Sequence, residues 1–164
     1  MIPLSLCNNK NSDLEPLSKV AFTNLKDLLL IFNESNIFVF SKLPFENLKI
    51  LNLSSNDITD IPIFQNCSPL ENLMYLSLSD NQIEDVEIYL SSLKHLDLSF
   101  NQISNIKFLS SEEYKHLEYI NLGKNNISNI FVFKDTLFLG LKILYLNENK
   151  IKNISIFSEV PFEN

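Results

Sequence analysis

Few side chains in this 164-residue sequence have the types and spacing that covalent or metal chemistry needs. The histidines are His95 and His116, and the cysteines are Cys7 and Cys67. Ser77, His95 and Asp97 supply the three residue types of a hydrolytic triad. That chemistry requires a nucleophile hydrogen-bonded to a base, an acid that orients the base, and preorganised oxyanion donors. His95 and Asp97 stand two residues apart, as neighbours on one strand face do, and no oxyanion donors accompany them. No catalytic residue is therefore assigned, and the chain is not expected to be an enzyme. No cluster of His, Cys, Asp and Glu has the ligand spacing of a metal site, so no metal or other cofactor is expected. Gly123 and Gly140 are the only glycines. That excludes a glycine-rich phosphate loop and a dinucleotide fingerprint, and no small-molecule substrate is indicated. What remains is recognition chemistry. Tyr75, His95, Tyr119 and Tyr145 combine ring surface with polar groups, and Ser77, Asp97 and Asn121 add hydrogen-bonding capacity beside them. These are residue types that anchor protein interfaces.

Charge narrows the partner. Thirteen lysines against 20 acids leave a net charge of −7, and there is no arginine. An acidic chain lacks the basic face that nucleic acid or an anionic membrane requires, and bidentate guanidinium contacts to phosphate are absent. No run approaches the ~20 apolar residues of a membrane-spanning helix, so no membrane insertion is expected. Two cysteines are too few for a disulfide framework and read as reduced, partly buried thiols. The N-terminal stretch has no basic start followed by a long apolar run, so it does not read as a signal peptide. These features place the chain in the cytoplasm or nucleus, or outside the cell if it is part of a surface protein.

The elements that position these residues come from an internal repeat. Leu48, Leu51, Leu53, Asn56, Ile58 and Ile61 set a frame. It returns as Leu73, Leu76, Leu78, Asn81, Ile83 and Val86, and again from Leu93, Leu117 and Leu141 with no apolar mismatch. Two weaker copies precede these, from Met1 and from Leu25. The frame asparagines fall at 9, 33, 56, 81, 101, 125 and 149, so the period is 20 to 25 residues. This pattern, L-x-x-L-x-L-x-x-N-x-L, resembles the leucine-rich-repeat family. The resemblance implies an α/β fold: a right-handed leucine-rich-repeat solenoid, with a parallel β-sheet on the concave face and short helices or turns on the convex face. Residues 1–164 then form a single domain of about seven repeats.

Within that frame, Leu-x-Leu alternation buries two side chains on the core face of a strand. The frame asparagine sits at the inward turn, where its amide can satisfy backbone groups that the turn leaves unpaired. The third position presents Asp27, Ile50, Tyr75, His95, Tyr119 and Ile143 outward, and the fifth presents Ser77, Asp97, Asn121 and Tyr145. The eighth places Phe100 at the edge of this face. The expected partner-binding residues are thus Tyr75, Ser77, His95, Asp97, Phe100, Tyr119, Asn121 and Tyr145. Phe22, Phe45, Leu70, Leu90, Tyr114 and Phe138 recur three residues before each frame and are expected in the core. On the convex side, Ser110 and Glu113 read as a capping box, Ser68 and Pro69 as a helix start, and His116 as a helix surface residue. The short repeat between Asn81 and Asn101 is expected to lack its helix.

Both ends read as cut through repeats. Pro161-Phe162-Glu163-Asn164 repeats Pro44-Phe45-Glu46-Asn47, which runs directly into a frame leucine. The chain is therefore expected to be truncated at one or both ends. The N-x-I-x-x-I frames are similar to those of protein phosphatase 1 regulatory subunits. That resemblance implies a non-catalytic scaffold whose concave sheet binds a protein, such as a phosphatase catalytic subunit. The alternative is the recognition segment of a larger receptor, adhesin or multidomain signalling protein.

Overall fold

The computed structural model describes residues 2–9, 14–20, 22–31, 45–61, 64, 70–136 and 138–159. Each described frame places a short strand where the leucines alternate. These are β1 (Ile2–Ser5), β2 (Leu25–Leu29), β3 (Ile50–Asn52), β4 (Tyr75–Ser77), β5 (His95–Asp97), β6 (Tyr119–Asn121) and β7 (Ile143–Tyr145). They form one seven-stranded parallel sheet in the order β1 to β7. From β2 onward, third position pairs with third position: Asp27, Ile50, Tyr75, His95, Tyr119 and Ile143 lie in one row. β1 joins through a register irregularity between Ile2 and Pro3. The expected leucine-rich-repeat solenoid is what the chain forms.

The core is a column of frame residues. Leu48, Leu51, Leu53, Leu73, Leu76, Leu78, Leu93, Leu96, Leu98, Leu117, Ile120 and Leu122 are all fully buried. The residues before the frames join them: Phe45, Leu70, Leu90 and Tyr114 are buried, and Phe22 and Phe138 pack against the same cluster. Each buried leucine side chain contributes about 1.5–3 kcal/mol through the hydrophobic effect, and it does so only because a neighbouring repeat covers it.

Asparagines close the turns. Asn101 shows the pattern: its Oδ1 accepts the N–H of Ile83 at 3.0 Å, and its Nδ2 donates to the carbonyls of Leu78 at 2.9 Å and Leu98 at 3.1 Å. Asn81, Asn125 and Asn149 repeat it, each reaching one repeat back and into its own turn. Asn56 makes the equivalent donations to Leu30 and Leu53. Asn33 lies outside the described residues. Just before each turn, the eighth-position residue is left-handed: Asn8, Ser55, Asp80, Phe100, Lys124 and Glu148 have φ between 54° and 60°. Asn and Asp tolerate that region, whereas a bulky side chain is strained there.

The convex side is irregular. Among the described residues it carries 3-10 turns at Glu15–Lys19, Lys107–Ser110, Glu112–Tyr114 and Ser155–Ser158, and one short helix, α1 (Val132–Asp135). No helical turn occurs in residues 81–92, where the period is shortest. The capping box is not formed. Ser111, not Ser110, precedes the turn and makes no side-chain cap. Ser110 Oγ instead donates to the Lys107 carbonyl. The reason is that the segment is two short 3-10 turns, which do not give a serine and a glutamate the reciprocal geometry of an α-helical start. The elements Lys107–Ser110, Val132–Asp135 and Ser155–Ser158 follow a signal two or three residues earlier. Asn105, Asn129 and Asn153, at the thirteenth position, each accept the N–H two residues on, which starts an Asx turn. His116 is exposed in the turn after Tyr114 rather than on a helix. Ser68 and Pro69 lie outside the described residues.

Candidate functional site

The shared register brings the predicted row together on the concave face. The rings of Tyr75 and His95 lie 6.1 Å apart at 30°, and those of His95 and Tyr119 lie 5.9 Å apart at 25°. Tyr145, from the fifth position of β7, closes the row edge-on at 5.9 Å from Tyr119. Stacked and edge-on ring pairs at these separations are mutually stabilising, so the row is held in place before any partner arrives.

The fifth-position residues brace it. Asp97 Oδ1 accepts the Ser99 N–H at 3.0 Å and the Ser99 hydroxyl at 2.7 Å. Asn52 and Asn121 accept the N–H of Ser54 and Gly123 in the same manner. These residues end the strands as well as facing outward, a role the sequence reading missed although Asn52, Asp97 and Asn121 recur at one frame position. Burial pushes the Tyr75 and Tyr119 phenols above their ordinary range, and the nearby Asp97 carboxylate adds to it. Both tyrosines stay neutral donors at physiological pH.

One placement differs from expectation. Ser77 is buried, with only 3% of its surface exposed. A small side chain between the larger residues of neighbouring strands is covered by them, so Ser77 supports the face rather than presenting itself on it. Its hydroxyl pairs with that of Ser79 at 3.3 Å. The triad types are not joined to one another. Asp97 is held by Ser99 and Ser77 by Ser79, and among the described residues His95 hydrogen-bonds to neither.

Phe100 stands 49% exposed at the edge, in the left-handed region. Lys124 lies 4.2 Å over its ring and pairs with Glu148 at 3.5 Å, which makes an edge row of Phe100, Lys124 and Glu148. Beside it a shallow notch of about 240 Å³ opens between Phe100, Asn121, Lys124, Tyr145 and Asn147. Gly123 floors the notch. Its φ is not positive; the reason for glycine here is space, because a Cβ would sit 2.8 Å from Asn147 Oδ1. Along the opposite edge, Glu118 binds Lys94 at 3.0 Å and Lys142 at 2.7 Å. The two ammonium groups hold its carboxyl down at about 2. Ile143 adds exposed apolar surface next to Tyr145. The lysine–glutamate row and Ile143 were legible only as second- and third-position residues, without a signal that they would be joined.

Residues 46–103 match the family profile described as leucine rich repeat, and residues 91–137 match that of leucine-rich repeats in two copies. The chain is built of leucine-rich repeats. Among solved structures, this leucine-rich-repeat chain is similar to internalin C2 from Listeria monocytogenes, with 28% identity and a TM-score of 0.76. The match covers 94% of this chain and 65% of that one. An internalin, InlF, from the same organism has 22% identity and a TM-score of 0.52, over 90% of this chain and 54% of that one. The functional domain of InlJ from Listeria monocytogenes, which includes a cysteine ladder, has 19% identity and a TM-score of 0.61, over 92% and 35%. The leucine-rich-repeat chain thus spans less than two thirds of the length of each. Among curated protein sequences, none matches it.

Proposed function

We propose that this chain is a non-catalytic protein-interaction module that binds a protein partner on its concave sheet. The observation that supports the reading is the row Tyr75, His95, Tyr119 and Tyr145, preassembled on an open face and outside the core. Exposed rings beside hydrogen-bonding groups carry interface energy without needing bound chemistry. His95, Asp97, Phe100 and Asn121 complete the contact surface, and Ser77 braces it from beneath.

A finer version makes the partner a protein phosphatase catalytic subunit and places the chain in the cytoplasm or nucleus. It rests on the N-x-I-x-x-I frame alone. The second version is the recognition segment of a larger receptor or adhesin. The likeness to internalin C2, of which this chain spans 65%, favours it.

Capture from lysate of the source cells tests the module. The tagged chain, a Tyr75→Ala/Tyr119→Ala variant and a convex-side Lys107→Ala control are compared. The expected result is a protein retained by the chain and the control and lost with the double variant. Equal retention by all three overturns the reading.

A further inference from the structure

We propose that Asp97, between Tyr75 and Tyr119, is a receptor for a single ammonium group, and that the concave face takes a lysine side chain of its protein partner there. This rests on the concave sheet being the binding face and names the chemistry that the face selects.

The charge on Asp97 exceeds what the fold needs. Three fifth-position residues end their strands by accepting the N–H two residues on: Asn52 from Ser54 at 2.9 Å, Asp97 from Ser99 at 3.0 Å and Asn121 from Gly123 at 3.0 Å. A neutral amide oxygen suffices on β3 and β6, so the carboxylate on β5 adds only a second oxygen and a charge. Both contacts with Ser99, through its N–H and its hydroxyl, fall on Oδ1. Among the described residues, Oδ2 accepts no hydrogen bond and Asp97 joins no ion pair. Other carboxylates on this side of the sheet are compensated from within the chain. Glu118 binds Lys94 and Lys142, and Glu148 binds Lys124. Asp97 is half-buried, and the cost of partly desolvating its charge is offset only when a cation arrives.

The surroundings suit that cation. β4 and β6 lie one strand spacing, about 4.8 Å, on either side of β5. Tyr75 and Tyr119 stand at 30° and 25° to the His95 ring between them, so both turn a ring face toward β5. Asp97 follows His95 by two residues, on the same strand face. Its charge reaches both phenols: burial raises their pKa values, and Asp97 is the next cause. A ring face attracts a cation within about 6 Å of its centroid. The sheet edge already displays this contact, where Lys124 lies 4.2 Å over Phe100. A cation on Oδ2 has a tyrosine ring on each side.

The same geometry selects among cations. A guanidinium fork binds a carboxylate through both oxygens, and Oδ1 already takes two donors. An ammonium is a point charge that needs one oxygen. The four-carbon stem of lysine also lies well along ring surface while its charged end reaches Oδ2.

The test titrates Nα-acetyl-lysine methylamide into the 164-residue chain, with the arginine and glutamine analogues alongside. NMR follows the Ser99 amide and the ring signals of Tyr75, His95 and Tyr119. The lysine probe should shift these signals saturably, with a midpoint at least about 3-fold below that of the arginine probe. The glutamine probe should not saturate. Asp97→Asn keeps the Ser99 turn, as Asn52 and Asn121 keep theirs, and should weaken lysine binding at least about 10-fold. Asp80→Asn removes an equal charge at the sheet edge, at a left-handed position that asparagine tolerates, and should leave binding unchanged. No saturable shift, equal binding by Asp97→Asn, or arginine bound as tightly as lysine overturns the proposal. Adding Asp97→Asn to the lysate capture separates this proposal from the one beneath it. A protein lost with Asp97→Asn and with Tyr75→Ala/Tyr119→Ala is the expected result. A protein lost with the tyrosine variant but kept by Asp97→Asn overturns the lysine receptor and leaves the binding face standing. A protein kept by both overturns the face and the receptor together.

Discussion

Two rows of side chains run across the same sheet with the same period, and they have opposite fates. The asparagines 81, 101 and 125 are at most 8% exposed and bonded at both ends of the amide. The rings of Tyr75, His95, Tyr119 and Tyr145 face outward and touch chiefly one another. A repeating residue type is therefore not in itself a sign of structure or of recognition. What separates the rows is whether the backbone uses them. A buried turn has donors and acceptors that something must satisfy, and the asparagines satisfy them, while the outward rings are not needed for that task.

The comparison breaks most sharply at Asn101. Asn101→Ala leaves the Ile83 N–H and the Leu78 and Leu98 carbonyls without their side-chain partner. The expected loss is about 3–5 kcal/mol in chemical denaturation, summing the cost of buried unsatisfied groups. Loss below that of the tyrosine variants would erase the distinction between the rows.

Tyr75→Ala/Tyr119→Ala removes three ring contacts on an open face, so its expected cost is about 1.5–3 kcal/mol. Circular dichroism should show the fold retained while partner binding disappears. A cooperative collapse of the fold would make the aromatic row structural after all.

A smaller effect is expected from Glu118, which ties the edges of β5, β6 and β7 through Lys94 and Lys142. Its folded pKa of about 2 lies well below the ordinary glutamate value of 4.5. A depressed carboxylate contributes stability that is present above the unfolded value and is lost as pH falls through the folded one. The wild type should therefore lose more stability than Glu118→Gln between about pH 5 and pH 2, and salt should shrink the difference. Parallel pH profiles for the two chains would contradict this.

The smallest change is expected at Phe100, where φ is 55°. Asparagine accepts the left-handed region better than phenylalanine does, so Phe100→Asn should raise stability by about 0.5–1 kcal/mol. A net loss would mean that the ring under Lys124 is worth more than the strain.

Much of this was legible in advance because stacking repeats place like residues in like environments. The fourth-position residue of each interior frame is buried for the same reason, so Leu28, Leu51, Leu76, Leu96 and Ile120 agree. The row of Tyr75, His95 and Tyr119 followed from the same register. Ser77 did not, since its cover comes from the side chains around it and not from its own position. The false capping box at Ser110 failed because a 3-10 turn and an α-helix can start from the same residue types, and only the packed backbone chooses between them. The turn signal lay in Asn105, Asn129 and Asn153, hidden within an asparagine-rich composition.

The sequence alone determined the period, the core column, the asparagine ladder and the row that faces outward. It did so because each follows from local alternation and from a repeated demand for backbone partners. The tertiary structure decided the rest: which outward residues are covered, how Glu118 is bound, and how Lys124 seats over Phe100. Those depend on side chains from adjacent repeats, 20 to 25 residues away along the chain, and distances between such groups exist only once the stack has formed.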